Sequence, residues 1–347
     1  MAACSGAHPQ DEPSDTRANL ERQGYKPALP PRPGATEIEL PAAHSLRWPV
    51  LFQDSNHVIG NSMAQYQPYG GAYWHGGTDL RVKAGAEVRS PTRGRVEAGH
   101  YSYELNEDGS MQKYWKPWPQ QGSDTYFEVA VITDDGTRYE FHHVNRTTLP
   151  AQIIRLVEAG GEVQAGDLLG YAIRWSDGEY HHIHYNVVAP NGIRINPEYT
   201  STSIPDEVAP KINSIHAVMP VGNSVIFGTG EFVSAPSEFV VDVVDYLGTN
   251  IYQHPPQKAR LVFDSGEETI WDFTKTLRVS GNMSPHIWEF FKESLRTPGG
   301  TVLNTTGGYG MGRTLVRLKV PAGAAGPFRI ELSDQAGNKV SANGRIR

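Results

Sequence analysis

From Trp48 onward the chain is a succession of short apolar runs cut by Gly, Pro, Asn and Asp. Such spacing leaves room for strands joined by turns and for little else. Residues 127–133 and 137–143 show it well: two β-prone segments separated by Asp134-Asp135-Gly136, a hairpin turn signal. The 36 glycines, 25 prolines and 10% aromatic residues agree with this, and long helical patterns are few. At 347 residues there is enough chain for two compact units with real cores. The expected fold class is mainly β: a small antiparallel β-sheet groove domain followed by a β-sandwich.

Taken in order, residues 1–45 are rich in Pro, Ala and charge and predict a tether with little packed structure. Residues 46–202 form the expected first domain. Its strands fall at 79–82, 87–91, 94–98, 127–133, 137–143, 162–172 and 180–188, with a short helix over 151–158 stopped by Gly160-Gly161. Residues 101–125 break the rhythm and predict a long loop. Its Tyr101, Tyr103, Tyr114, Trp115 and Trp118 either line a groove or pack the loop onto its own scaffold. A linker over 204–210, with two prolines and two acids, leads into residues 203–347 as the second domain. Strands at 211–219, 239–244, 258–263, 313–320 and 328–333, with the turn Asp334-Gln335-Ala336-Gly337-Asn338, resemble an immunoglobulin-like β-sandwich. One helix is expected inside it, capped by Ser284, with Pro285 at its first position and Ile287, Phe291 and Leu295 on one face. The run from Gly307 to Gly312 lacks the Lys-Ser/Thr pair of a phosphate-binding loop and is expected to be a flexible loop.

A net charge of −7 without a basic stripe excludes nucleic acid as the expected partner. No apolar run reaches the ~18 residues that a membrane-spanning helix needs. Cys4 is the only cysteine, so there is neither a disulfide framework nor a cysteine zinc knuckle. Its setting, Ala2-Ala3-Cys4-Ser5-Gly6, looks like the end of a bacterial lipoprotein signal. A lipid on Cys4 would place the chain in the periplasm or cell envelope, held to a membrane face.

Two stretches carry chemistry: His75-Gly76-Gly77-Thr78-Asp79 and His182-Ile183-His184. On a strand, His182, His184 and Asn186 share one face while the apolar Ile183, Tyr185 and Val187 share the other. The histidines therefore face away from a core. Gly76-Gly77 makes a helix improbable and lets the backbone curl so that His75 and Asp79 converge. Catalytic zinc takes three protein ligands and keeps one position open. His75, Asp79 and one histidine of the 182/184 pair supply that set, and the other histidine is left beside it for proton transfer or an oxyanion. His143 shares parity with Tyr139 and Phe141, His142 points the opposite way, and a groove-facing His143 would be a second non-ligand imidazole. His142 and His181 are expected to be structural, as are the scattered His8, His44, His57, His100, His216, His254 and His286.

The order of these motifs over roughly residues 55–200 resembles the LytM/lysostaphin-type zinc metallopeptidases, which cut peptide bonds in bacterial peptidoglycan. The resemblance rests on His75-Gly76-Gly77-Thr78-Asp79, Phe141-His142-His143-Val144, the turn-strand pairs near Gly85, Gly94 and Gly166, and His182-Ile183-His184-Tyr185. It implies Zn2+ on His75, Asp79 and His184, with His143 and His182 as catalytic non-ligands. It also implies peptidoglycan peptides as partners and substrate. Tyr180-His181 stands where the family commonly has Gly-Pro, and the 101–125 insertion is longer than usual; both bear on substrate choice. The alternative is a non-catalytic wall-binding or regulatory protein on the same fold.

Overall fold

A computed structural model describes residues 16–28, 39–175, 178–220, 224–226, 231–232, 236–277, 286–307 and 312–347. Cys4, Ser284, Pro285 and residues 308–311 lie outside the described residues, and with them the lipid-anchor, helix-cap and glycine-loop expectations. The mainly β class holds: the elements are short strands gathered into several sheets, almost all of them antiparallel.

The first half is organised by a nine-stranded sheet. Its path runs from Lys26–Pro27 through Met111–Pro117, Gly94–Leu105, Phe127–Ile132 and Arg138–His142 to His182–Val188. Thr78–Arg81 and Arg194–Ile195 pair with different stretches of His182–Val188. Alternation along the strands sorts the side chains. Phe127, Val129, Val131, Tyr139, Phe141, Ile183, Tyr185 and Val187 join one buried apolar cluster. Each such side chain, fully buried, stabilises the fold by about 1.5–3 kcal/mol relative to exposure. The opposite parity puts Glu128, Glu140, His142, His182, His184 and Asn186 on the other face. The helix Ala151–Ala159 forms as expected and ends on Gly160, whose left-handed backbone (φ 64°) closes it.

The second half packs two five-stranded sheets over one core. Lys211–Val218, Glu238–Tyr246 and Thr314–Lys319 form one layer; Lys258–Phe263, Glu268–Asp272, Gly326–Ser333 and Lys339–Ile346 form the other. Their shared core also takes Met63, Ala64 and Trp74 from the first half. Trp74 lies among Phe273, Phe290 and Phe291 at ring-centroid distances of 5.3, 5.8 and 5.2 Å. The residue before His75 is thus anchored in the sandwich.

Three expectations are corrected. Most of the supposed loop at 101–125 is a hairpin of Gly94–Leu105 on Met111–Pro117. The helix expected from the Ile287, Phe291 and Leu295 pattern is one turn, Ile287–Phe290. Beyond it Phe291 bridges Val316, and Ser294–Arg296 pairs with Val302–Asn304. All three apolar residues are buried, Ile287 from the helical turn but Phe291 and Leu295 from extended segments, because tertiary pairing overrides a weak local propensity. The tether is also partly folded. Arg17–Arg22 is helical, and Lys26–Pro27 adds to the outer edge of Met111–Pro117.

Candidate metal centre

Strand register builds the centre. Asp79 and His184 are directly opposed in the antiparallel pair of Thr78–Arg81 with His182–Val188, and His142 opposes His184 from the other side. Directly opposed residues hold their side chains within reach of one another. His75 arrives from the turn before Thr78, pinned by His75 N–H to Gln65 O and by Ala64 N–H to His75 O. Gly77 makes this approach feasible. A Cβ there would lie 2.1 Å from Asn186 Oδ1 and 2.4 Å from Tyr185 O.

The three ligand atoms converge. His75 Nε2 lies 3.1 Å from Asp79 Oδ1 and 3.0 Å from His184 Nδ1, and His184 Nδ1 lies 2.9 Å from Asp79 Oδ1. Ions bound tetrahedrally at about 2.0–2.1 Å would set such atoms roughly 3.3 Å apart. The triangle therefore needs only a few tenths of an ångström of expansion. His75 Nδ1 donates to Ser62 O at 2.9 Å, which leaves Nε2 as the lone pair aimed inward. The donor set of two imidazole nitrogens and one carboxylate oxygen fits a divalent transition metal.

Electrostatics favours the ligand forms. Burial drives the imidazole of His184 down to about 4 against the hydrogen bond to Asp79, so the ring is neutral at pH 7. Burial opposes ionisation of Asp79. The neighbouring imidazoles of His75, His182 and His184 outweigh it and hold the carboxyl well below the usual range. The second oxygen of Asp79 accepts from Asn61 Nδ2 at 2.6 Å, and that amide also donates to Tyr180 Oη at 3.0 Å. Gln65 Nε2 donates to Asn61 Oδ1. Gly60 makes room for Tyr180: a Cβ there would meet the hydroxyl at 1.9 Å. Tyr180 therefore packs against Gly60 and, through Asn61, braces the carboxylate from behind.

His143 and His182 come together beside this triangle, with ring centroids 4.7 Å apart. Each ties its Nδ1 to a carbonyl, His143 to Thr125 O at 2.9 Å and His182 to Tyr180 O at 3.0 Å, leaving Nε2 free to act. Burial lowers both pKa values, so both are neutral bases. Trp175 packs on both rings at 4.9 Å. The parity argument for His143 is corrected. Tyr139 and Phe141 point into the core, and alternation would send His143 after them. The strand instead ends at His142, and a left-handed backbone at His143 (φ 64°) turns its ring back to the site. His142 and His143 thus share one side, their rings 6.4 Å apart.

Behind His184 lies a buried polar layer that sequence reasoning missed. His142 sits 4.9 Å from His184, ring to ring, and its Nε2 is 3.4 Å from Glu128 and 3.5 Å from Glu140. Asn186 Nδ2 bonds to Glu140 Oε2 and lies 2.9 Å from His142 Nε2. Lys113 Nζ reaches both acids, at 2.5 and 2.7 Å, and Arg138 bonds to both as well. The alternate placement of Glu128, Glu140 and His142 was the available signal. Nothing local pointed to the lysine that neutralises them.

Lys113 belongs to the hairpin, and the hairpin roofs the centre. At its base Tyr101 N–H bonds to Tyr126 O, and the Tyr101 ring lies 4.1 Å from that of His142. At its tip Gly109 O accepts from Trp74 N–H and Asp108 O from Ile287 N–H, on the far side of the sheet. His75, Asp79, His143, His182 and His184 are at most 4% exposed beneath it. The missed signal was the alternation Tyr101-Ser102-Tyr103-Glu104 followed by a turn closing on Gly109.

No family model matches the sequence, and no curated protein does. Solved structures do share features of the fold. A structure described as a peptidase M23 from Pseudomonas aeruginosa is 19% identical over 54% of this chain and 60% of that one, with a TM-score of 0.28. The solution structure of lysostaphin is 12% identical over 84% of this chain and 90% of its own, at 0.27. The antimicrobial peptidase lysostaphin from Staphylococcus simulans is 14% identical over 80% and 92%, at 0.29. The chain spans only 60% of the length of the first of these. Likeness at these scores carries no functional argument, which rests instead on the convergence of His75, Asp79 and His184.

Proposed function

We propose that this chain is a zinc-dependent endopeptidase acting on peptide cross-links of bacterial peptidoglycan. The observation that carries the proposal is the buried triangle of His75 Nε2, Asp79 Oδ1 and His184 Nδ1, with two non-ligand imidazoles beside it. Zn2+ held there would supply Lewis acidity to a water and to the scissile carbonyl. The chain's own residues do the rest. Asn61 and Ser62 O orient Asp79 and His75. His182 and His143, neutral and with Nε2 facing the site, can each take a proton there, and the imidazolium so formed can give it to the developing oxyanion or the leaving amine. Peptide would approach the triangle past the hairpin, whose Tyr101 ring packs on His142 beside His184.

The substrate class is supported by the motif order that resembles the LytM/lysostaphin-type peptidases. A cell-envelope or periplasmic location, with a lipid on Cys4, belongs to the same proposal, as does an immunoglobulin-like assignment for residues 203–347. The test uses zinc-loaded protein and purified cross-linked sacculi, with muropeptides read by mass spectrometry. Wild type should convert cross-linked muropeptides into uncross-linked ones. Asp79→Ala should lose both zinc and activity. His182→Ala should keep its zinc and lose about 10²–10⁴-fold in rate. Sacculi that bind zinc-loaded wild type yet keep every cross-link would favour a wall-binding or regulatory protein instead.

A further inference from the structure

The outer face of the sandwich carries a cleft of about 600 Å³. Ligand-binding clefts run from about 300 to 1,000 Å³. Its floor is the strand Glu238–Tyr246, where Val241 and Val243 point into the core and alternation turns Asp242, Val244 and Tyr246 outward. The hairpin of Ser294–Arg296 and Val302–Asn304 sits on the neighbouring part of this face, with Leu295 against Val240 and Leu315. Its second strand walls the cleft through Val302 and Asn304. Lys211 and Arg313 line the cleft from either side of the floor: Lys211 opposes Val244 on one, and Arg313 precedes Thr314, which opposes Val243 on the other.

Two properties of this cleft point to a ligand. The first is an unpaired strand edge. Thr297 N–H bonds to Thr301 O and Thr305 N–H to Glu293 O, so the hydrogen-bonded pairs of the hairpin are its odd-numbered residues. The N–H and C=O groups of Val302 and Asn304 therefore point away from the first strand, and no described residue bonds to them. Exposed edges in natural folds carry Lys, Pro or a bulge that discourages further pairing. Residues 301–306 are Thr-Val-Leu-Asn-Thr-Thr, with neither charge nor proline, and Val302 is 46% exposed. The second property is charge. Asp242 is the single lining carboxylate, and it is covered: Asn213 Nδ2 donates to Oδ1 at 3.3 Å, and Arg313 Nε lies 3.3 Å from Oδ2. Lys211 and the Nη groups of Arg313 pair with no acid among the described residues. Two cations against one acid leave the lining positive on a chain of net charge −7.

We propose that this cleft docks an acidic segment of a partner protein, held extended as a third strand beside Val302–Asn304. Backbone groups of the segment complete the unpaired N–H and C=O groups of Val302 and Asn304, the bonding that strand addition uses for affinity. Such an edge reads the regular repeat of an extended polypeptide, which a sugar chain does not have. Selectivity comes from the side chains turned to the floor. Carboxylates there meet Lys211 and the Nη groups of Arg313 in charge-assisted hydrogen bonds, about twice as strong as neutral ones. Val244 between the two cations gives an apolar side chain a place to rest. The assignment is independent of the peptidase reading.

The test titrates full-length, zinc-loaded protein into a fluorescein-labelled, amidated heptapeptide that alternates glutamate and valine, read by fluorescence anisotropy. Saturable one-to-one binding is expected. It should weaken about tenfold or more when glutamine replaces glutamate in the peptide, and likewise in the Lys211→Glu variant. Lys211 is exposed, so that variant should melt as wild type does. Strand addition has a signature of its own, because an extended peptide has two edges. N-methylation of the glutamates blocks one edge and N-methylation of the valines the other, so one modified peptide should keep its binding and the other should lose it. Absence of saturable binding, equal affinity for the glutamine peptide, an undiminished affinity in the variant, or equal effects of the two methylation patterns would each overturn the assignment. So would a dimer in sedimentation that the peptide takes apart, since the occupant would then be a second copy of this chain.

Discussion

At the scale of single residues, the centre depends on side chains one step removed from the ligands. Asn61 holds the outer oxygen of Asp79 at 2.6 Å and so aims the inner one at the histidines. Partners of this kind typically contribute 10–100-fold in metal affinity. Asn61→Ala should therefore lower zinc affinity by about that factor while leaving the ligand set intact. Competition against a chromogenic chelator would measure it, and an unchanged affinity would remove Asn61 from the centre. The candidate ligands were legible in the sequence as His75, Asp79 and one of His182 and His184, from the combination of a Gly-spaced His/Asp pair with an i+2 histidine pair. Asn61 was not, since nothing in its local sequence separates it from an ordinary loop asparagine. His143 was identified for the wrong reason: a backbone φ of 64° places it, and strand parity does not.

At the scale of elements, the hairpin Gly94–Leu105/Met111–Pro117 decides access. The N-terminal segment clamps its outer edge through Lys26–Pro27, through Ala28 N–H to Lys113 O, and through Lys116 Nζ to Gln23 O. Leu20, Tyr25 and Tyr114 form a small core beneath the clamp. Removing residues 1–28 should loosen the roof. Amide hydrogen exchange across residues 99–117 should quicken, and sacculus hydrolysis should rise severalfold. Unchanged exchange in that variant would show that the hairpin holds itself closed. Sequence patterns found the strands with a polar and an apolar face. They failed where an element curls over the sheet and presents tyrosines to polar groups, because that burial is created by another element.

At the scale of the whole molecule, the two halves share packing. Trp74 leaves the sheet domain to enter the sandwich core and is 2% exposed there. Trp74→Ala should cost about 3–5 kcal/mol, read from urea unfolding, through the cavity it leaves. It should also disturb zinc binding, because His75 is the next residue. A marginal effect on both would mean that the halves are independent. Glu198, Asp206, Asp245 and Asp334 line one small cavity and add a pH dependence. Glu198 and Asp245 titrate near 8 when folded, against 4.5 and 3.8 as reference values. Raised folded pKa values stabilise the fold below the reference values, and that stabilisation is lost as pH rises through about 8. The urea midpoint should fall between about pH 6 and pH 8 and level off above it. A midpoint that rises with pH would contradict the burial of these acids.

The sequence by itself determined what depends on local pattern and residue chemistry. The mainly β class, the faces of His182–Val188 and the grouping of His75 and Asp79 with one histidine of the 182/184 pair follow from alternation, turn residues and donor type; the choice of His184 came from the resemblance to the LytM/lysostaphin-type peptidases. Tertiary structure alone decided what depends on contacts far apart in the chain. Those contacts put Lys113 against Glu128 and Glu140, the hairpin over the histidines, and Trp74 in the other half's core. They also drew four acids from three segments to one cavity. Alternation tells a side chain which face to take, but only the fold decides what that face meets.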